Sequence, residues 1–385
     1  MLNNIVNIGV VGAGKLGTYH IQKLLDKSNC NLIGIYDSDL DIMKSHENKY
    51  NINTFDNLEI LIKECDAIVI ATPTTYHYEI AKYALDKEKH IFIEKPITDN
   101  LSEALELRSM AQKKNRIIQV GHIERFNSAF IEALKYIKSP QFIEIHRISP
   151  FPKRSLDIPV VMDVMIHDLD ILLSINKNNS IKKINASGAS IVTNFIDLAN
   201  ARIEFENGLV ANLTASRIST KQMRKIRIFQ SKSYLGIDLF NKELDIYNID
   251  SEKDGLIDNK KININSNDAL DDELSHFIDC IIESKVPPRT FGKPVPLAIF
   301  PILPGQAHPI RKIDGAESPW RRLRPGPRKG LHPGQGKRDA RGLEHGPAIH
   351  LVGVLAHQWI SFLTLDIYQE RRPLSRQKRL ACNNI

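Results

Sequence analysis

Gly12-Ala13-Gly14-Lys15-Leu16-Gly17 lies between an apolar run, 5–11, and a segment with helical spacing that begins at Leu16. A second apolar run, Asn31-Leu32-Ile33-Gly34-Ile35-Tyr36, ends at Asp37. A G-x-G-x-x-G by itself is no more than a glycine turn. With a strand before it, a helix after it and an acid about 20 residues on, it has the context of a dinucleotide fingerprint. In that reading Gly12 allows the tight turn, Gly14 lets the backbone approach a pyrophosphate, and Gly17 lets helix and strand pack closely. The helix start at Lys15 and Leu16 offers free N–H groups and a positive dipole end to phosphates. Asp37 is placed to accept hydrogen bonds from adenosine ribose hydroxyls. A carboxylate there repels a 2′-phosphate, which favours NAD over NADP.

Outward from this stretch, the first third alternates strand and helix. Apolar runs at 32–36, 67–71, 90–93 and 117–120 read as strands, with a short remnant at Thr54-Phe55. Helical spacing covers 16–27, 40–48, 57–64, 76–87 and 101–114. Short buried runs between amphipathic helices imply a parallel sheet with crossovers, a Rossmann-type domain over 1–121. The pattern then changes. Stretches 142–148, 181–194, 199–205, 209–216, 225–230, 233–238 and 243–248 alternate as strands, and 130–137, 164–175 and 271–283 read as helices. This predicts an α+β domain over 122–292 with an open, mostly antiparallel sheet. The polar stretch 251–267 reads as an exposed loop.

Composition is that of a globular protein, with 42% apolar and 25% charged residues among 385. Met1-Leu2-Asn3-Asn4 shows no secretory signal. The four cysteines, Cys30, Cys65, Cys280 and Cys382, are scattered, which suits reduced cytoplasmic thiols. The formal charge of +7 is uneven: 294–385 carries 15 Lys+Arg against 6 Asp+Glu, which leaves 37 against 39 for 1–293. A body near neutrality points away from nucleic acid.

The segment 293–385 differs in kind. It holds 11 of the 19 prolines, 9 of the 20 glycines and both tryptophans, Trp320 and Trp359, and 301–346 has no periodicity of either type. This composition points to an irregular, out-of-frame or fused tail rather than an evolved domain. Two other readings exist. Arg321-Arg322-Leu323-Arg324 with Arg328-Lys329 suits phosphates. The apolar run 348–365 has marginal spanning length, but His350, His357 and Gln358 are costly in a bilayer.

Three places carry chemistry. Thr72-Pro73, followed by His77, ends one Rossmann strand, and ligands of open α/β sheets sit at such carboxyl ends. Glu94-Lys95-Pro96 ends the next. A residue before proline is held extended, so Lys95 is expected in the cofactor crevice, with its ammonium on a substrate hydroxyl. The alternative is a surface lysine beside a turn. In Met162-Asp163-Val164-Met165-Ile166-His167-Asp168-Leu169-Asp170, helical spacing puts Asp163, His167 and Asp170 on one face and Met165, Leu169 and Leu172 on another. A histidine with an acid one turn away suits a general base. The same pair also fits a solvated helix face. Half of a metal site lacks a third ligand, so no metal is expected.

Together these residues resemble the Gfo/Idh/MocA oxidoreductases, which act on sugars and cyclitols. The matching elements are Gly9 to Gly17, Ala71-Thr72-Pro73 with His77, Glu94-Lys95-Pro96 and Asp163-x-x-x-His167, and the likeness covers 1–292. The resemblance implies cofactor contacts at Gly12, Gly14, Lys15, Leu16, Asp37, Thr72, Pro73, His77, Glu94 and Lys95. It also implies that Lys95 and His167 serve proton transfer, that Asp163 contacts substrate, and that the second-domain sheet face mediates a homo-oligomer. A non-catalytic dinucleotide-binding sensor is the alternative, against which the presence of both Lys95 and His167 argues. Within the family, 120–127 and 162–170 look like the UDP-N-acetylglucosamine 3-dehydrogenase subgroup. His122 is then a substrate contact, and Arg147, Lys153 and Arg154 suit a nucleotide-sugar diphosphate. The departure is at the C-terminus: family members continue past a glycine turn into a closing helix, whereas Phe291-Gly292-Lys293 runs into the unusual tail.

Overall fold

The computed structural model describes residues 5–152, 158–177, 179–250 and 256–284. Lys153, Arg154 and the tail 293–385, with the expectations attached to them, lie outside the described residues. Two compact units result: 5–131 with 264–284, and 132–263.

The first unit opens with β1 (Val6–Val11), α1 (Lys15–Leu25), β2 (Cys30–Tyr36), α2 (Leu40–Tyr50), α3 (Leu58–Glu64) and β3 (Ala67–Ile70). It continues through α4 (His77–Asp86), β4 (His90–Ile93), α5 (Leu101–Lys114), β5 (Ile118–Val120) and α6 (Ser128–Leu134), whose sequence spans the boundary. The five strands are parallel, in the order β2-β1-β3-β4-β5. Strand order reverses between β1 and β3, the switch point where open α/β sheets bind ligands. β3 and β4 are buried throughout, as strands covered by helices on both faces must be. Asp39, Asn57 and Asn100 cap α2, α3 and α5 by accepting backbone N–H bonds. The expected Thr54-Phe55 remnant is a single parallel bridge, Ile35 to Thr54.

The second unit holds β6 (Pro140–Ile148), a π-helical turn (Val161–Met165) running into α7 (Ile166–Ile175), β7 (Ile181–Ala189), β8 (Leu198–Phe205) and β9 (Val210–Ser216). β10 (Met223–Gln230), β11 (Ser233–Asp238), β12 (Glu243–Asp250) and β13 (Leu256–Ile262) follow. The eight-stranded sheet has the order β13-β12-β11-β10-β6-β9-β8-β7, antiparallel except for the β6–β9 pair. Burial alternates along the strands: Ile143, Ile145, Ala211, Leu213, Ile226 and Ile228 are buried. That is the signature of a sheet covered on one face.

Two elements depart from expectation. β13 occupies the stretch read as a loop, paired with β12 from Leu244–Ile262 to Asp250–Leu256. As an edge strand it presents Asp258, Asn259, Lys260 and Lys261, a polar sequence that hides its period and blunts the edge. The strand expected over 181–194 stops at Ala189. There the N–H groups of Ile191, Val192 and Thr193 turn onto Asp197 Oδ2 at 2.7–2.9 Å.

α8 (Ala269–Ser284) returns to the first unit. The sequence reading places it with 122–292. In the structure Leu274, Phe277, Ile278 and Ile281 are buried in one cluster with Val6, Ile8, Val10, Ile21, Leu24 and Phe92. Each such side chain is worth about 1.5–3 kcal/mol of burial, which explains the return. Lys27 secures the helix, its Nζ donating to Asp271 Oδ1 at 3.0 Å and Ser275 Oγ at 2.6 Å.

Candidate active site

The glycine stretch is shaped by backbone against backbone. Gly12 has φ +90°, and a Cβ there would lie 2.7–2.8 Å from the Thr72 nitrogen and the Ala71 carbonyl. A Cβ on Gly17 would strike the Gly12 carbonyl oxygen. Gly14 differs: a Cβ there would meet nothing within 4 Å. α1 begins at Gly14 with no side-chain cap, so its first N–H groups stay open to a ligand, with Lys15 and Leu16 exposed beside them. Asp37 Oδ2 accepts from Ala13 N at 2.7 Å and Oδ1 from Asp39 N at 3.0 Å, which fixes the carboxylate against the loop. The buried Thr72 hydroxyl has no partner among the described residues, and Pro73 next to it is exposed. A bare Gly14, an uncapped helix start and an unsatisfied hydroxyl fit the phosphates and ribose of a dinucleotide.

At the end of β4, Lys95 is half-buried and its peptide bond to Pro96 is cis. Its neighbour Glu94 closes on His20 of α1, Oε1 to Nε2 at 2.8 Å, with side-chain exposures of 13% and 1%. Lys95 N donates to Glu94 Oε2 at 3.3 Å. Burial alone would raise the Glu94 pKa. The hydrogen bond and charge of His20, with the charges of Lys95 and His77, outweigh it and hold the carboxyl below its usual range. His77 is buried, with Nδ1 2.9 Å from the Pro96 carbonyl and Nε2 2.9 Å from the Thr72 carbonyl. Burial lowers its pKa despite both carbonyls. Glu94 and His77, expected as cofactor contacts, bond to His20 and lie against two backbone carbonyls; beside them the Thr72 hydroxyl is buried and Pro73 is exposed. His122, expected as a substrate contact, is also buried in this unit.

In the second unit, Asp163 lies in the π-helical turn and His167 at the start of α7, both half-buried. Met165, Leu169 and Leu172 are buried, as helical spacing predicts. Asp170 is buried as well, whereas Asp163 and His167 are half-buried. The Arg147 guanidinium donates from Nε to Asp168 Oδ1 at 2.8 Å, with both residues buried. It therefore braces α7 through Asp168. Arg154 lies outside the described residues. No group of three His, Cys, Asp or Glu suited to a metal ion occurs among the described residues.

The profile of a family described as "Oxidoreductase family, NAD-binding Rossmann fold" (GFO_IDH_MocA) matches residues 6–122. The UDP-N-acetylglucosamine 3-dehydrogenase of Acidithiobacillus ferrooxidans is 35% identical over 286 residues, 71% of this chain and 88% of that protein. The chain belongs to the Gfo/Idh/MocA oxidoreductase family. It is therefore an enzyme, a dehydrogenase with a dinucleotide-binding Rossmann domain. A solved structure of the Acidithiobacillus dehydrogenase superposes with a TM-score of 0.68 at 34% identity, covering 72% of this chain and 89% of that one. The scyllo-inositol 2-dehydrogenase (NAD(+)) of Bacillus subtilis is 25% identical over 73% of this chain and 88% of its own length. The fold is that of the Gfo/Idh/MocA family throughout the described residues.

Two residues at these sites were not read from the sequence as functional. His20 belongs to the stripe Gly17, His20, Ile21, Leu24, all buried. A polar residue at i+3 in an apolar i, i+3, i+4, i+7 stripe is the signal that could have found it. Asp168 was legible only as one of four polar residues in its run.

Proposed function

We propose that this dehydrogenase oxidises a sugar hydroxyl with NAD, and that its substrate is UDP-N-acetylglucosamine, oxidised at the 3-hydroxyl. The observation that carries the reading is the 35% identity to a dehydrogenase of that name over 88% of its length. The chain also keeps Glu94-Lys95-Pro96 and Asp163-x-x-x-His167.

The Gly12–Gly17 loop, Asp37 and Thr72 would hold the dinucleotide, which would supply the hydride acceptor. The protein supplies the proton chemistry. His167 takes the hydroxyl proton as the carbon-bound hydrogen leaves with its electron pair. Lys95 donates a hydrogen bond to the same oxygen and stabilises its developing negative charge. Asp163 orients His167 or the sugar. The Asp37 carboxylate, fixed by two N–H groups, supports NAD over NADP, since a 2′-phosphate would meet a like charge.

The reading extends to self-association through the open sheet face and to the cytoplasm. In support of the first, Phe142, Phe229, Tyr234 and Tyr247 form a ring row across β6, β10, β11 and β12, with centroids 6.0, 5.0 and 5.1 Å apart. In support of the second, Cys30, Cys65 and Cys280 are free thiols. No described helix is long and apolar enough to cross a membrane.

The test is nicotinamide reduction by the purified chain given NAD and UDP-N-acetylglucosamine, with a carbonyl trap, alongside myo-inositol and free glucose. Reduction with the nucleotide sugar alone supports the reading. Reduction with a free cyclitol or sugar instead moves the substrate elsewhere in the family. Dinucleotide binding without turnover of any substrate favours a sensor.

A further inference from the structure

We propose that His20 is a positioning residue for the proton-transfer step: through Glu94 it fixes the place of Lys95 at the carboxyl end of β4. This rests on the reading of Lys95 given above.

The pairing of Glu94 with His20 is a costly arrangement. Glu94 follows the buried strand His90–Ile93, and a carboxylate taken out of water costs several kcal/mol unless paired and hydrogen-bonded. An apolar side chain would fill this place with no such cost. Instead α1 turns His20 into its buried stripe, where Nε2 meets Glu94 Oε1 at 2.8 Å. A carboxylate only accepts, so the hydrogen lies on the imidazole Nε2. The ring is held in turn by Phe92 of β4, edge-on at a centroid distance of 5.1 Å. Its Nδ1 has no partner among the described residues, so its single polar contact is with Glu94.

The other carboxylate oxygen serves the backbone of Lys95. Oε2 accepts the Lys95 N–H at 3.3 Å, so the pair on Glu94 reaches from α1 to the peptide of the proposed proton-transfer residue. Gly121, beyond β5, closes the remaining side: a Cβ there would lie 3.1–3.3 Å from the Glu94 carboxyl atoms. On the far side of Lys95, the buried His77 ring lies between the Pro96 and Thr72 carbonyls, 2.9 Å from each, and its one N–H donates to one of them. Lys95 is thus framed by two buried histidines from two helices. His20 also sits three residues after Gly17 on the helix that starts the dinucleotide loop. One side chain and one carboxylate therefore link that helix to the Lys95 peptide. The low pKa of Glu94 agrees with a carboxylate kept charged for this purpose.

The experiment compares five variants of the full chain: Lys95→Met, His20→Leu, His20→Gln, Glu94→Gln and His20→Leu with Glu94→Gln. Readouts are kcat, KM for the substrate and the dissociation constant of the dinucleotide, measured by quenching of protein fluorescence. His20→Leu is expected to lower kcat by about tenfold or more, the scale of a small displacement of a reacting group, with dinucleotide affinity within about twofold. His20→Gln, whose amide can reach Glu94 in place of Nε2, is expected to recover most of kcat. In the Glu94→Gln background, His20→Leu is expected to cost little more, since one partner of the pair is already altered. A kcat for His20→Leu within about twofold of the parent, or losses that add in the double variant, overturns the proposal. If His20→Leu does not fold, Glu94→Gln alone carries the test by the same kcat-against-affinity split, and an unchanged kcat there is again fatal. Turnover by Lys95→Met sinks the reading of Lys95 itself. An inactive Lys95→Met beside a fully active His20→Leu sinks only the role of His20.

Discussion

Arg147 of β6 and Asp168 of α7 form a buried ion pair at 2.8 Å, and Asp168 is the residue after His167. The pair anchors the start of the helix that presents the proposed base. Removing one partner of a buried pair leaves an uncompensated charge and costs about 3–5 kcal/mol. Arg147→Leu is therefore expected to lower the denaturant midpoint and to reduce kcat. A variant of full stability whose only defect is a raised KM for the nucleotide sugar would show instead that Arg147 meets the diphosphate.

The three glycines of the loop separate folding from binding. Gly17→Ala forces a Cβ onto the Gly12 carbonyl, and Gly12→Ala combines φ +90° with contacts of 2.7–2.8 Å. Both are expected to destabilise the chain and abolish dinucleotide binding. Gly14→Ala meets nothing within 4 Å. It is expected to leave stability within about 0.5 kcal/mol of the parent and still weaken dinucleotide binding at least about tenfold. Thermal midpoints alongside titrations with NAD check all three.

Asp37→Ser removes the charge facing the ribose and keeps a hydroxyl acceptor near Ala13 N. The ratio of NADP to NAD affinity is expected to rise by about tenfold or more, mainly through better NADP binding, since a like charge is removed. An unchanged ratio would mean that the carboxylate serves only the loop.

Acid is expected to destabilise the chain in two stages. The folded pKa of His77 lies below the ordinary histidine value of 6.5, because burial disfavours the charged ring. As pH falls through about 6.5 the unfolded chain takes up a proton that the native one does not, so stability drops until the lower native pKa is reached. Glu94 has a folded pKa below 4.5, so its contribution is full above that value and is lost as pH falls through the folded pKa. Asp197 belongs to the same acid stage: burial alone would raise it, but the N–H groups and hydroxyl of 191–193 hold it far below the usual carboxylate range. His77→Gln is expected to flatten the first stage and leave the second, as read from denaturation midpoints between pH 7 and about pH 3.

Much of the fold is legible because period reports burial. The parallel strands read as continuous apolar runs and the second-unit strands as alternation, so both sheets follow from the sequence with ends shifted by a few residues. β13 escaped because an edge strand with Asp258, Lys260 and Lys261 has little apolar period to show. The end of β7 escaped because it is set by Asp197 capturing three N–H groups, a contact no spacing rule reports. At the site, Gly12, Gly14 and Gly17 lie where β1 turns into α1, and Asp37 after β2 bonds to that turn. His77, Glu94 and Arg147 were legible as polar residues in telling places. Whether a polar side chain turns to a ligand, to a carbonyl or to a buried partner is decided by packing from elements far away in the chain, so their partners were not.

The return of α8 makes the first unit discontinuous in sequence: 264–284 completes a core begun by 5–131. During synthesis the Rossmann sheet therefore waits, with Val6, Val10 and Phe92 facing an empty seat, while 132–263 is made and able to fold. The unit that starts first finishes last. That order exposes its apolar face to chaperones and proteases for the time the ribosome needs to add over a hundred residues. Changes that weaken the seat of Phe277 or Ile281 should therefore lower the yield of folded enzyme before they touch its catalytic rate.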